Sequence, residues 1–257
     1  MEGTMRLSGK VAVVTGAAVG LGRAVALRFA DEGAAVVAVD TNEKEGQSVV
    51  DLIRRKRGCG IFVRADISSE SEVVAALEVA STEFHQIDVL YNNAAILMYG
   101  SDARLHELSL ETWDRTMNVN LRGTFLCAKH VIPSMLKQGG GSIVNLCSPT
   151  GLIGCAPKLT AYSTSKAGVC GLTRVMAASY ARDGIRVNAV IPGTMDTPMN
   201  EYLLQDDKKR EEYREAVPLG RLGVPADIEG IAVFLASEES SYCTGGLYYC
   251  DGGLTAV

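Results

Sequence analysis

The fold is decided by Thr15-Gly16-Ala17-Ala18-Val19-Gly20-Leu21-Gly22, which follows the apolar, β-branched run 11–15 and leads into a helical pattern. Glycines at such a turn let the backbone approach a pyrophosphate and let the helix pack closely against the strand. The first turn of the helix offers oriented N–H groups to the phosphates. The stretch therefore predicts a dinucleotide site in which Gly16, Gly20, Leu21 and Gly22 contact the cofactor.

An acidic residue, Asp40, closes the second β-branched run, 18 residues beyond Gly22. A carboxylate at this position can accept hydrogen bonds from both hydroxyls of an adenosine ribose, and it would repel a 2′-phosphate. Val19 and the segment 41–43 offer no arginine that could compensate. NAD is therefore the expected cofactor, in preference to NADP. The alternative is that Asp40 caps the next helix, which would leave the cofactor preference open.

Short apolar runs alternate with longer helical patterns along the whole chain. This alternation predicts a parallel sheet with helices on both faces. The predicted strands are 11–15, 36–40, 61–65, 88–91, 142–147, 186–191 and 247–250. The predicted helices are 21–32, 43–57, 70–85, 111–137, 161–181 and 226–236. The expected fold class is α/β, a doubly wound (Rossmann) parallel sheet of seven strands in a single domain, 1–257.

The segment 194–218 is long, polar and charged, and it lies between two regular elements. Such a segment is either a lid over a site or an exposed insertion. Its position after a strand that ends at the ligand-binding edge of the sheet favours the lid.

Composition excludes several classes of function. The net charge is −5, which argues against a nucleic-acid or anionic-membrane partner. No apolar stretch is long enough to span a membrane, and residues 1–6 lack the apolar core of a signal peptide, so a cytoplasmic location is expected. The seven cysteines include no C-x-x-C pair, and they are expected to be reduced and structural, with no metal site.

Tyr162 and Lys166 stand four residues apart on one face of a predicted helix. A free tyrosine has a pKa of about 10, and a neighbouring ammonium stabilises its phenolate form. In a site closed by bound cofactor, Tyr162 would then exchange a proton with an alcohol or ketone. Ser148 follows the strand 142–147, so it can hydrogen-bond the substrate oxygen; its alternative role is a turn residue before Pro149.

Taken together, these features resemble the short-chain dehydrogenase/reductase family over essentially the whole chain. The matching segments are 15–22, Asp66-Ile67, Asn92-Asn93-Ala94-Ala95, 119–123, Ser148, 162–166, 186–193, Thr197 and 251–253. The resemblance implies a catalytic tetrad of Asn120, Ser148, Tyr162 and Lys166. Asn120 would hold a water that links Lys166 to solvent, and Lys166 would bind the nicotinamide ribose. The alternative role for Asn120 is to kink its helix and satisfy backbone groups.

The resemblance also implies further cofactor contacts and an assembly. Asp66 and Ile67 would contact the adenine, Asn93 the adenosine-side ribose, and Met195, through its backbone, with Thr197 the carboxamide. A homotetramer is implied, paired through the helices 111–137 and 161–181 and the closing segment 245–257.

Two departures from the family pattern stand out. Ala95 replaces the usual glycine and adds a methyl group close to the cofactor. The interval from Ser148 to Tyr162 is 14 residues, one longer than usual, which changes the loop 151–157 that would wall the substrate pocket.

The expected substrate is a small secondary alcohol or its ketone: a sugar, a polyol, or a cyclic, steroid-like alcohol. Arg104 and His106 stand in a predicted wall of the pocket and could bind an anionic group, or they belong to an exposed loop. Two rival functions remain open. One is a reductase of 3-ketoacyl groups on a carrier protein. Asp40 argues against it because such reductases resemble NADPH enzymes, and Asp183 argues against it because those relatives tend to have a basic residue at this position. The other is a catalytically silent NAD-binding sensor, which would usually have lost part of the tetrad.

Overall fold

The computed structural model describes residues 5–257, so residues 1–4, which carry part of the signal-peptide expectation, lie outside the described residues. Seven strands form one parallel sheet. They are β1 (Val11–Thr15), β2 (Ala35–Asp40), β3 (Gly60–Arg64), β4 (Val89–Asn92), β5 (Gly141–Leu146), β6 (Ile185–Pro192) and β7 (Leu247–Cys250). Their order is β3-β2-β1-β4-β5-β6-β7. The fold prediction is therefore confirmed, and no strand end differs from its predicted position by more than one residue.

Helices cover both faces of this sheet. They are α1 (Gly20–Asp31), α2 (Glu43–Arg55), α3 (Glu70–Phe84), α4 (Leu110–Met117), α5 (Thr124–Gln138), α6 (Thr160–Tyr180), α7 (Glu201–Leu204), α8 (Asp207–Glu215) and α9 (Ala226–Ala236). Buried side chains of α1, α2 and α9 form one core cluster against the sheet, and those of α3, α5 and α6 form the other. The strands are nearly continuous apolar runs because they are buried on both faces.

The predicted helix 111–137 is divided in the structure. It consists of α4, a π-helical segment from Asn118 to Gly123, and α5. A π segment widens the helix and interrupts its regular hydrogen bonding, often at functional sites. The sequence pattern predicted one continuous helix because apolar periodicity is nearly the same on both sides of the interruption.

The strand order indicates where a ligand site lies. The order in which successive strands are added reverses between β1 and β4, and in open α/β sheets ligands bind beyond the carboxyl ends of the strands at such a point. Thr15, Asp40, Asn92 and Leu146 end four neighbouring strands at this edge. The segments that follow them therefore converge on one region. The segment 194–218 follows β6 at the same edge and contains α7 and α8.

Within residues 5–257, the helices are all too short or too polar to cross a membrane. All seven cysteines are free thiols, three of them buried.

Candidate active site

A cavity of about 1190 Å³ lies at the carboxyl edge of the sheet. Its walls include the glycine-rich turn, the ends of β2, β4 and β5, the start of α6 and the segment 194–218. Small-molecule pockets usually measure about 300–1,000 Å³, so this cavity has room for a dinucleotide and a further small molecule.

The glycine-rich turn depends on the absence of side chains at two positions. Gly16 has a φ of +65°, and a Cβ there would lie 2.7 Å from the Cα of Ala94. A Cβ on Gly22 would lie 2.1 Å from the carbonyl oxygen of Gly16. These spacings are shorter than any van der Waals contact, so the turn keeps this path only with glycine at both positions.

Asn93 fastens this turn to β4. Its Nδ2 donates to the carbonyl oxygens of Thr15 at 3.1 Å and of Gly16 at 3.0 Å. The backbone N–H of Asn93 donates in turn to Thr15 Oγ1 at 3.1 Å. The side chain therefore holds the backbone of the glycine-rich turn in shape, and the residue also lines the cavity.

Asp40 lines the cavity at the end of β2. Its carboxylate accepts hydrogen bonds from the backbone N–H groups of Ala18 at 3.0 Å and Asn42 at 2.9 Å. The cap of α2 is Asn42, whose side chain accepts from the N–H of Glu45. Asp40 is therefore not the helix cap that the sequence left as an alternative, and its charge stands beside the glycine-rich turn.

Asp66 and Ile67 follow β3 and also line this half of the cavity. The Asp66 carboxylate accepts from the N–H and the hydroxyl of Ser68, at 2.9 and 2.7 Å. These bonds orient the carboxylate and close the turn before α3.

Tyr162 and Lys166 lie in the first two turns of α6, both buried and both against the cavity. The Lys166 Nζ is 5.8 Å from the centroid of the Tyr162 ring, and it donates to the carbonyl oxygen of Leu146 at 2.8 Å. That bond uses one of three ammonium donors, which leaves two for other partners.

Burial dominates the ionisation of this pair in the chain by itself. It raises the pKa of Tyr162 to about 12, although the hydrogen bond with Ser148 acts in the opposite direction. It also lowers the pKa of Lys166. The lowered Tyr162 pKa expected from the sequence applies to a site closed by cofactor. In the chain without cofactor the pKa of Tyr162 is raised instead, because the buried phenolate would lose its hydration.

Ser148 lies directly beyond β5 and is largely buried. Its Oγ is 3.1 Å from Thr150 Oγ1 and accepts a hydrogen bond from the Thr150 N–H at 3.3 Å. Ser148 therefore closes the turn, as its alternative role required, and it is also a neighbour of the Tyr162 hydroxyl.

Asn120 is fully buried in the π-helical segment. Its Oδ1 accepts from the N–H of Ile96 at 2.8 Å, and its Nδ2 donates to the Ile96 carbonyl at 2.9 Å and to Ser165 Oγ at 3.1 Å. Both amide hydrogens are thus used within the protein, and the structural role that the sequence left open is observed. Its main-chain carbonyl accepts from Thr124 Oγ1 at 2.8 Å.

Sequence reasoning missed Asp102. Its buried carboxylate accepts from the N–H groups of Ala161 at 3.0 Å and Tyr162 at 2.9 Å, and so it caps α6 from another part of the chain. Leu159, the residue before α6, has no side chain that can do this. A helix start without a local cap was the only signal, and the sequence did not indicate which distant residue supplies one.

The segment 194–218 is joined to the loop before α4. Asn200 Nδ2 donates to the Met195 carbonyl at 2.8 Å, and the Tyr99 hydroxyl donates to Asn200 Oδ1 at 3.1 Å. The rings of Tyr99 and Tyr202 stack with centroids 5.7 Å apart. Met195 and Thr197 line the cavity with these residues. The segment thus forms a wall of the cavity.

Two further expectations are resolved by position. Arg104 and Ala95 line the cavity. His106 does not line it; its side chain is 69 % exposed, and its Nε2 lies 3.7 Å from Glu107 Oε1. Within residues 5–257, no three His, Cys, Asp or Glu side chains are grouped so that they could hold a metal ion.

Comparisons with known proteins identify the family. A family model described as enoyl-(acyl carrier protein) reductase matches residues 16–255. The chain is 43 % identical over 250 residues to the 3-oxoacyl-(acyl-carrier-protein) reductase of Thermotoga maritima, covering 97 % of this chain and 99 % of that protein. It is 42 % identical over 251 residues to the cis-4-hydroxycyclohexanecarboxylate dehydrogenase of Sinomonas cyclohexanicum, covering 96 % and 97 %.

A solved structure extends the comparison. A putative NAD(P)-dependent gluconate 5-dehydrogenase from Beutenbergia cavernae, with bound NADP, superposes with a TM-score of 0.93 at 36 % identity, covering 99 % of this chain and all of that one. The chain therefore belongs to the short-chain dehydrogenase/reductase family, whose typical cofactor is NAD or NADP. It is an oxidoreductase that acts on alcohols and ketones.

Proposed function

We propose that this protein is an NAD-dependent dehydrogenase that interconverts a secondary alcohol and its ketone, with Tyr162 as general acid and base. The observation that carries the proposal is the convergence of Tyr162, Ser148 and Lys166 on one cavity whose other half holds the glycine-rich turn and Asp40. The first group supplies proton transfer and the second supplies a dinucleotide site.

The described residues fit a dinucleotide. The turn at Gly16 and Gly22 leaves no room for side chains, and the backbone of Gly20 and Leu21 begins α1, where N–H groups favour a pyrophosphate. Asp40 would accept both hydroxyls of an adenosine ribose, which favours NAD over NADP. When bound, NAD supplies the acceptor for the hydride that leaves the alcohol carbon.

The remaining contacts follow the edge of the cavity. Asp66 and Ile67 would flank the adenine, and Asn93 the adenosine-side ribose. The Met195 backbone and Thr197 would contact the carboxamide. All five line the cavity.

The proton steps use four residues. Ser148 would donate to or accept from the substrate oxygen beside Tyr162. Tyr162 would take the hydroxyl proton during oxidation and return it during reduction. Lys166 would stabilise the phenolate and bind the nicotinamide ribose with the donors that Leu146 leaves free. Asn120 would hold the π-helical segment in place and offer its main-chain carbonyl to a water that relays protons to Lys166.

The substrate side of the cavity favours a compact cyclic or polyhydroxylated alcohol. The stacked rings of Tyr99 and Tyr202 provide a flat apolar surface, and Asn200 provides a polar edge. Relatives with the same family core act on a hydroxylated cyclohexane ring and, by description, on gluconate. The segment 194–218 would act as a lid, because its contacts with Tyr99 are the ones that must open to admit a substrate.

A second candidate is the reduction of a 3-ketoacyl group on a carrier protein, which the 43 % identity to such a reductase favours. That substrate is delivered by an acidic carrier protein, which a chain of net charge −5 would repel. Such reductases also use NADPH, and Asp40 argues against that cofactor.

A homotetramer is also proposed. Three apolar side chains on the outer faces of α5 and α6 are exposed in the single chain, namely Phe125, Leu136 and Val175. Pairing of these helices with a second copy would cover them.

The test is NADH formation at alkaline pH from secondary alcohols, polyols and aldoses, with NAD and NADP in parallel and with a 3-ketoacyl thioester and NADPH as the rival arm. Turnover of an alcohol with NAD supports the proposal. Turnover of the thioester alone supports the second candidate. NADH binding without turnover of either supports a silent sensor.

A further inference from the structure

Besides Lys166 and Arg115, three cationic side chains line the cavity, and each comes from a different element. Arg104 lies in the loop between β4 and α4, Lys158 in the loop before α6, and Lys209 on α8. Within residues 5–257, none of the three makes an ion pair.

The neighbouring cations behave differently. On α8, Arg210 pairs with Asp196 and Arg214 pairs with Glu211. Lys209, which faces the cavity from the same helix, is left without a partner although acidic residues surround it in sequence. Among the described residues, Arg210 and Arg214 are thus neutralised, whereas neither Lys209, which lines the cavity, nor Lys208, which does not, makes an ion pair.

The acidic residues of the cavity wall do not neutralise these cations. Asp40 lies at the glycine-rich turn, and Asp66 lies beyond β3. Both oxygens of Asp102 are engaged by backbone N–H groups of α6 and its own turn. Glu107 is the one acidic wall residue left on the substrate side among those described. The substrate side therefore carries a local positive balance in a chain of net negative charge, which favours an anionic ligand.

Tyr99 and Tyr202 line the same cavity as these cations, and Tyr99 lies in the same loop as Arg104, between β4 and α4. Burial raises the pKa of Tyr99, so this ring stays neutral and offers an apolar face. A ligand that fits both features has a compact apolar body and one negative group.

We infer that the substrate of the proposed dehydrogenase is a secondary alcohol that carries a carboxylate, held by Arg104, Lys158 and Lys209 while its hydroxyl faces Tyr162. This inference rests on the proposed function. Because Lys209 belongs to the segment 194–218 and Arg104 and Lys158 belong to other loops, the same anion would also tie that segment to the rest of the cavity wall.

The first arm of the test compares two alcohols with the same ring: 4-hydroxycyclohexanecarboxylate and the neutral 4-methylcyclohexanol. We expect kcat/KM with NAD to be about tenfold or more higher for the carboxylate, through a lower KM, and the difference to shrink at high salt. Equal kcat/KM for both alcohols overturns the inference and leaves the proposed function standing.

The second arm needs no turnover. Cyclohexanecarboxylate has no hydroxyl to oxidise, and cyclohexanecarboxamide is its neutral match; calorimetry in the presence of NADH measures the binding of each. Tighter binding of the carboxylate supports the anion site even if no alcohol is oxidised. The absence of alcohol oxidation would count against the proposed function and not against the anion site. Equal binding of the two overturns the site.

Single substitutions test which cations contribute to carboxylate binding. Lys209→Gln and Lys158→Gln are each expected to weaken carboxylate binding about threefold to tenfold and to leave carboxamide binding unchanged. Lys208→Gln is the matched control, because Lys208 is on the same helix and does not line the cavity. If Lys208→Gln weakens carboxylate binding equally, the effect comes from the general charge of α8, and the inference is contradicted.

Discussion

The carboxylate of Asp102 accepts a hydrogen bond from the backbone N–H of Tyr162 at 2.9 Å, across 60 positions of sequence. Its other oxygen accepts from Ala161, so one buried side chain satisfies two of the free N–H groups at the start of α6. The residue proposed to transfer the proton therefore stands on a helix end that is held by the loop before α4.

Replacement of Asp102 by alanine is expected to lower the free energy of unfolding by about 1–3 kcal/mol, because two buried N–H groups lose their acceptor. Turnover should fall by more than the unfolded fraction explains, because the first turn of α6 carries Tyr162. Thermal unfolding and kcat at a temperature where the variant is folded measure the two effects. Thr160→Val removes only the bond from Thr160 Oγ1 to the Ala103 carbonyl and serves as the control. If both variants lose turnover equally, Asp102 has no particular effect on Tyr162.

Gly22→Ala is expected to abolish measurable cofactor binding, because its Cβ would lie 2.1 Å from the Gly16 carbonyl oxygen and would displace the turn. Titration of NADH fluorescence measures the loss. Gly230→Ala is the matched control within a helix, since a Cβ there meets nothing within 4 Å, and it should keep binding and gain up to about 1 kcal/mol of stability. Normal NADH affinity in the Gly22 variant would contradict the proposed path of the pyrophosphate.

Asp40→Ala is expected to shift the ratio of kcat/KM for NAD over NADP by about tenfold or more toward NADP, since a charge that repels a 2′-phosphate is removed. Asp40→Asn should act in the same direction while retaining an acceptor for the N–H of Ala18 or Asn42. Asp66→Asn, at the other aspartate of this half, should affect both cofactors alike. A wild-type preference for NADP would show that Asp40 does not select the cofactor.

Acid stability depends on Glu32. The hydrogen bond from Arg6 is the largest of the effects that hold the pKa of this carboxylate at about 2, from an ordinary value of 4.5. A depressed pKa in the folded state stabilises the protein above about pH 4.5, and this contribution is lost as the pH falls toward 2. Glu32→Gln should therefore cost about 1–3 kcal/mol at neutral pH and progressively less below pH 4.5.

Denaturant unfolding across this pH range measures the dependence. Glu239→Gln is the control, because Glu239 also faces Arg6, at 3.6 Å, but is half exposed. Its cost should stay below about 0.5 kcal/mol, as for other exposed ion pairs. A Glu32→Gln cost that does not change with pH would contradict the assignment.

The fold was predictable because its signals are local. Buried strands are read from continuous apolar runs, and the turn at Gly16 to Gly22 requires glycines that sequence displays directly. The division of the helix 111–137 was not predictable, since the π segment arises where Asn120 binds the backbone of Ile96, a contact between distant segments.

The site was predictable to a similar limit. Residues at or just beyond strand ends that the sequence pointed to line the cavity, among them Asp40, Ser148 and Asn93, and their roles there stay predictions. The cap from Asp102, the joining of Tyr99 to Asn200 and the position of His106 outside the cavity all depend on how loops fold over the sheet. Periodicity does not encode such contacts.

The most direct test of Tyr162 as the general acid and base compares the wild type with Tyr162→Phe. Two quantities are measured: the initial rate of NADH formation from an alcohol that the wild type oxidises, and the dissociation constant of NADH. We expect the variant to bind NADH as the wild type does and to turn over at least about a thousandfold more slowly, because the proton acceptor is missing. Turnover within tenfold of the wild-type rate would contradict the role of Tyr162 and with it the proposed mechanism.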